Sequence, residues 1–318
     1  MAFTYPPFNN QSAYYAGMPV GVELETLDKI ILVGAKDLPI MRQIKRVPVG
    51  SLKSIWIIDQ MRKPRSSTVS AKKYVEDIQP PTPDTKQEIE NVVQLFLDEA
   101  DCPDVLKNVN TIDSSGVLET QTAKRSLEHA NDLEASFWSD SAPFLSTQDS
   151  EQNVVGGVWY YVPATHEFDY RDGLGNPTKD LTVDDIFDLQ QAVYDRGGDP
   201  TQIFLTSKLK RKVNALIEAK KLYKVDGTDP KKIGLMVSDI ETDFGTTTFN
   251  ICRHMAELGM NDRMLCCDME YIEAGMLQDT KVEPVTTSAT KKINRITTHM
   301  TFHFRNQYAL SAGYGFKY

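Results

Sequence analysis

The chain has 318 residues, 41% of them hydrophobic and 25% charged, a length that suggests about two domains and a composition ordinary for a globular protein with a sizeable core. Its 35 basic and 44 acidic side chains give a net charge of -9, which argues against tight nucleic-acid binding through an overall basic surface. No apolar run is long enough to cross a bilayer, and four irregularly spaced cysteines (Cys102, Cys252, Cys266, Cys267) suit buried free thiols better than a disulfide framework.

The first 45 or so residues read as an arm. The opening MAFTYPPFNNQSAYYAGM has neither a basic n-region nor an apolar h-region, so it is not expected to be a signal peptide. The apolar piece Leu27–Gly34 reads as a docking segment or a short helix on its own core. From 46 to about 90 the chain is extended and polar. Val47-Pro48-Val49 and Ser54–Ile58 read as strand, KPRSSTVSAKK as a solvated tip, and a return strand precedes Pro80-Pro81-Thr82-Pro83. So few core-quality residues predict a β-hairpin projecting from the body. Asn91–Glu99 reads as a further strand.

The best helix runs from Gly116 to Asp140. Ala123, Leu127, Ala130, Leu133 and Phe137 recur at three- and four-residue steps, which predicts that this face packs inward. Ser114 or Ser115 is the expected cap, and Pro143 ends the segment. Trp159-Tyr160-Tyr161-Val162 reads as strand. Thr182 then caps a helix with Val183, Ile186, Leu189 and Val193 inward, stopped by Gly197-Gly198. Ile203-Phe204-Leu205 is a short buried strand, and Ser207 is the expected cap of a helix whose Leu209, Val213, Leu216 and Ile217 share a face. From Leu235 to Leu277 the pattern is strands broken by turns at Gly245, Gly259 and Gly275. Near the end, Ile296, Met300, Phe302 and Phe304 alternate with Thr297, His299, Thr301, His303 and Arg305, and Tyr308 to Phe316 repeats the alternation.

No constellation supports chemistry. Asp243-Phe244-Gly245 matches a kinase tripeptide, but the Gly-rich loop, strand lysine and catalytic loop are missing, so it reads as a turn. Gly173-Leu174-Gly175-Asn176 lacks the rest of a dinucleotide fingerprint and reads as a surface turn. His299 and His303, four apart on a strand, lie ~13 Å from each other and cannot share a zinc ion with Cys266 and Cys267. The basic run Lys208, Lys210, Arg211, Lys212, Lys220, Lys221 and Lys224 falls mostly on the face opposite Leu209, Val213 and Leu216, and reads as a solvated helix face or as charge pairing between subunits. No catalytic residue, cofactor or metal is expected.

Several pieces, in order along nearly the whole chain, resemble one family. These are Ile30 to Ile40 after the arm; Ser51 to Asp59 as the first strand of an extended loop; and Glu119 to Ser139, ETQTAKRSLEHANDLEASFWS, as a long spine helix. They continue with Leu181 to Leu205, Asp239 to Gly245 with the following Arg253, and Phe302 to Ala309, FHFRNQYA. The chain resembles the major capsid proteins of tailed bacteriophages, in the SU10-like branch of the Hong Kong 97 fold. The resemblance implies an α+β fold with an N-terminal arm (1–46), an extended β-hairpin loop (47–88) and a peripheral domain (89–180) with the spine helix at 117–140. It further implies an axial domain (181–279) and terminal strands (280–318) returning to the peripheral domain.

The implied function is self-assembly, through pentamers and hexamers, into the icosahedral shell around double-stranded DNA. Location would be the virion capsid, after assembly in the cytoplasm of the bacterial host. Portal, scaffold and cement proteins are the implied partners, with no membrane and no sequence-specific DNA binding. Trp56, Arg62, Lys63 and Arg65 lie in a segment too polar for its own core and are expected at subunit contacts. The alternatives are another phage structural protein, of tail or ring, and a cytoplasmic enzyme of unrecognised type.

Overall fold

The computed structural model describes residues 37–59, 86–105, 117–148, 151–220, 239–286 and 290–318. Among these the order is β1 (Lys45–Pro48), β2 (Lys53–Ile58), β3 (Gln87–Val92), β4 (Gln94–Pro103), α1 (Val117–Phe137), α2 (Val158–Tyr161) and β5 (Glu167–Asp169). Then come α3 (Val183–Tyr194), β6 (Gln202–Leu205), α4 (Ser207–Lys220), β7 (Asp239–Thr242), β8 (Gly245–Ile251) and α5 (Arg253–Glu257). The chain closes with β9 (Met264–Cys267), β10 (Ile272–Val285), β11 (Lys291–Phe304) and β12 (Leu310–Tyr314).

Two sheets organise the molecule. A four-stranded sheet runs β1-β10-β11-β4, and a six-stranded sheet runs β5-β12-β9-β6-β8-β7. A separate pair, β2-β3, is antiparallel with Trp56 opposite Ile89. The chain leaves the six-stranded sheet at Cys267, builds the long β10–β11 hairpin in the other sheet, and returns as β12 beside β9.

Burial follows from that layering. On one side of the six-stranded sheet α3 and α4 supply Ile186, Leu189, Val193, Leu209, Val213 and Ile217, all essentially inaccessible. The second core joins the two sheets, with Phe204, Leu265 and Tyr314 from one and Met276, Phe302 and Phe304 from the other. Strands β9 and β12 are therefore covered on both faces, which is why every one of their residues is buried.

Local chemistry sets the clearest boundaries. Thr182 and Asp185 form a reciprocal capping box at the start of α3, each side chain accepting the other's backbone N–H. Burial alone would raise the Asp185 carboxyl, but bonds from Lys179 and Thr182 outweigh it and hold it below the usual carboxylate range. Asp243 and Phe244 form the turn between β7 and β8, where Gly245 takes a φ of 115°. Gly175 turns the surface loop after Asp172, whose carboxylate accepts from Leu174 and Asn176.

Three expectations need correction. Trp159–Tyr161 is helical, not strand; Gly157 and Pro163 bracket a segment just long enough for one turn. Gly275 is no turn either. It sits inside β10, where an added Cβ would lie 2.6 Å from Val49 Cγ2 and 2.9 Å from the His303 ring, so the close packing of these two side chains over the strand explains it. Helix α1 buries His129, Leu133, Glu134 and Phe137, while Ala123 and Leu127 face outward. Polar residues hold its inner face: Thr122 accepts from Asn294, and His129 reaches Thr298. Within the basic run, Lys210 is buried with Nζ 4.1 Å from the centroid of the Phe249 ring. Leu27–Gly34, the loop tip, Ser114 and Ser115 lie outside the described residues.

Candidate assembly interface

The β2-β3 pair is the base of the expected projecting loop. Its alternation divides the residues cleanly: Ile55 and Ile57 stand 54% and 58% exposed, whereas Trp56 turns onto its own subunit. The Trp56 indole donates to Phe304 O at 2.9 Å, and its ring lies 5.4 Å from His303 and 6.2 Å from Tyr161. Ser54 Oγ bonds His303 Nε2 at 2.7 Å. Arg62, Lys63 and Arg65 lie outside the described residues. The outward isoleucines were readable from the period of two along this strand.

Beneath the pair, Asn91 acts as a four-way clamp. Its Nδ2 donates to Gly156 O (3.2 Å) and Phe302 O (2.8 Å), and its Oδ1 accepts from Gly156 N and Val92 N (both 2.8 Å). Tyr161 donates to Glu90 O at 2.6 Å, and burial pushes its phenol well above the usual range. The ribbon base is thus bolted to β11 and to the 156–161 segment by buried groups.

His303 is the titratable member of this junction. Burial holds its imidazole below the usual range against the opposing pull of Glu273, with Arg305 adding to the lowering. Above about pH 6.5 both folded and unfolded chains carry a neutral ring, so nothing is lost. Below it the unfolded chain takes up a proton that the folded chain resists, and stability falls. The wild type should therefore lose denaturant resistance relative to His303→Gln between about pH 7.5 and about pH 5.5. Equal pH slopes for the two proteins would contradict this.

Helix α1 contributes a second outward surface, with Leu127 42% exposed beside Ala123 on the face away from the sheet. An open cleft of about 750 Å³ lies between β4 and residues 146–148 and 151–153, lined in part by Leu52, Leu95, Leu97 and His299. Its leucines are half exposed, and no cluster of convergent charges marks it as a small-molecule site.

One largely buried constellation, with Asp98 half-exposed at its edge, has the outline of a nucleophile triad. Asp98 Oδ2 lies 2.6 Å from His129 Nδ1, and His129 Nε2 lies 2.7 Å from Thr298 Oγ1. Thr298 has no exposed surface, and its Oγ1 also bonds Thr280 Oγ1 at 2.8 Å. No substrate can reach it, so the set works as a polar bolt through α1, β4, β11 and β10. A second bolt is Glu134, fully buried on α1. It accepts from the amides of Ile40 (3.2 Å) and Met41 (2.9 Å) and from the Trp138 indole (3.1 Å), tying the 38–44 turn to the helix. Burial raises its carboxyl above the usual range despite those bonds.

Known proteins place this architecture. A family model described as SU10 major capsid protein matches residues 8–315. Among solved structures, the chain is similar to one from Mycobacterium phage Bobi, with 14% identity, 95% of this chain and 97% of that chain covered, and a TM-score of 0.62. It is similar to a structure described as the capsid of a native GTA particle computed with C5 symmetry, with 14% identity, 97% and 100% coverage and a TM-score of 0.64. A structure from Microbacterium phage Oxtober96 shows 12% identity, 92% and 96% coverage and a TM-score of 0.61. No curated protein matches. The shared fold is the α+β Hong Kong 97 type. With a family match spanning nearly its whole length, the chain belongs to the SU10 major capsid protein family.

Proposed function

We propose that copies of this phage major capsid protein join as pentamers and hexamers and close into an icosahedral shell around double-stranded DNA, with no catalytic step. The family match over residues 8–315 carries the reading. In this reading 1–46 is an arm that lashes neighbours, 47–88 is an extended loop, 89–180 is the peripheral domain with its spine helix, and 181–279 is the axial domain around the symmetry centres. Residues 280–318 return to the peripheral domain, although their last strand, β12, pairs with β9 in the six-stranded sheet.

The chemistry of contact follows from exposure. Ile55 and Ile57 on one copy meet the outward Leu127 face of the next copy's spine helix, each isoleucine contributing roughly 1–2 kcal/mol on burial. Repetition over a closed surface turns such weak contacts into a durable container. Trp56 locks the loop base on its own subunit, and Arg62, Lys63 and Arg65 set the loop's register on the neighbour. The net charge of -9 favours a lining that does not hold packaged DNA. Portal, scaffold and cement proteins are the partners of this assembly, which forms in the host cytoplasm and ends in the virion.

Electron microscopy of the purified chain tests the reading. Closed spheres are the expected product; tubes or single rings would move the chain to a tail or ring role. Replacing Arg62, Lys63 and Arg65 together with Glu should abolish particles while leaving a soluble folded subunit. Normal particles from that variant would remove the loop contact.

A further inference from the structure

Outside the contact surfaces, one buried group of side chains has no role in the assembly described above. Glu134 of α1, Cys252 and His254 of α5 bring one ligand atom each to within 4.8 Å of one another, and all three residues are buried. Tetrahedral zinc, with bonds of about 2.0–2.3 Å, sets its ligands about 3.3–3.7 Å apart. Binding requires the ligand atoms to draw together by up to about 1.5 Å.

His254 and Glu134 each keep a lone pair that the protein leaves unused. His254 is 2% exposed, and its Nδ1 is buried with no hydrogen-bond partner. Its Nε2 lies 3.3 Å from Asn131 Oδ1, an acceptor, which places the ring proton on Nε2 and leaves a lone pair on Nδ1. That is the arrangement of a metal-binding histidine whose second nitrogen is held by an outer partner. Glu134 receives two hydrogen bonds on Oε1 and one on Oε2, so of its roughly four lone-pair sites one remains, on Oε2. Cys252 is fully buried and free.

We propose that Glu134, Cys252 and His254 form a structural site for a thiophilic divalent cation of the zinc type. On binding, the Cys252 S–H bond breaks, the proton leaves to solvent, and a sulfur–metal bond forms with no change of oxidation state. One thiolate, one carboxylate and a neutral imidazole balance the two positive charges, so the buried site is neutral. The mixed sulfur, nitrogen and oxygen set selects zinc or cobalt over magnesium and calcium, which prefer all-oxygen sites. The ion would join α1 to α5, and through Glu134 to the 38–44 turn, in one clasp.

The test uses the full chain in unassembled form and does not depend on whether it forms shells. After chelation and dialysis, cobalt(II) titration should give a thiolate-to-metal charge-transfer band saturating at one ion per chain. Zinc should displace that band and raise the thermal midpoint. The band should vanish in Cys252→Ser and persist in Cys102→Ser. His254→Asn should weaken binding by more than tenfold. A folded wild-type chain with no charge-transfer band and no zinc-dependent midpoint shift overturns the site without any variant. A band that survives Cys252→Ser overturns it equally.

Discussion

Trp138→Ala is expected to destabilise the subunit by about 3–5 kcal/mol, read as a lower denaturant midpoint at an unchanged slope. The indole has no exposed surface and stands where the two sheets meet. Its ring centroid lies 5.0 Å from that of Phe137, 5.5 Å from that of Phe204 in β6 and 6.1 Å from that of Trp159. Deleting it removes the largest single filler between α1 and β6 and leaves a cavity that rigid strands cannot collapse. It also strips one donor from Glu134. Domains of ordinary stability have about 5–15 kcal/mol in all, so the variant should sit close to unfolding at room temperature. Trp138→Phe keeps most of the volume and should lose much less. A loss under about 1 kcal/mol for the alanine variant would mean that the sheets are held together elsewhere.

Asn91→Ala should be nearly as damaging, for a different reason. The side chain removes no large volume, but four backbone groups lose their partner in a place without water. Each orphaned group costs about 1–3 kcal/mol, and even with partial relaxation the sum should exceed about 3 kcal/mol. Asn91→Asp separates this account from simple packing. The acid is nearly isosteric and keeps both accepted bonds, yet it turns an oxygen toward the carbonyls of Gly156 and Phe302. It should therefore be as harmful as alanine at neutral pH and recover partly on acidification, when the protonated acid can donate again. Stability of Asn91→Asp equal to wild type at neutral pH would show that the clamp carries little energy.

How far the fold was legible depended on how local its determinants are. The Thr182–Asp185 box, the Gly245 turn and the alternation of β11 are set by residues within a few positions, and all three were readable. Trp159 to Tyr161 misled because its aromatic content favours strands, while Gly157 and Pro163 leave room only for one helical turn. The buried face of α1 misled because it is partly polar. Periodicity assigns Leu127 to the core, but His129 and Glu134 take that place, and their partners Thr298 and Ile40 lie 169 and 94 positions away in the chain. The clamp at Asn91 and the Glu134–Cys252–His254 group were invisible for the same reason. No local pattern marks a polar residue that meets its partner only after the sheets have packed.

The long β10–β11 hairpin has a consequence for solubility. Among the described residues, β10 beyond Met276 has β11 on one side and no strand on the other, and β4 closes the opposite margin in the same way. Open margins of this kind invite stray chains to add on and grow into fibres. Here they are guarded: Asp279, Lys281 and Glu283 punctuate one and Glu99 and Asp101 the other, with Pro284 and Pro103 unable to offer an N–H. A polypeptide synthesised in the many copies a virus needs can thus remain dispersed at high concentration, meeting its siblings through shaped side-chain surfaces rather than by indiscriminate backbone zippering.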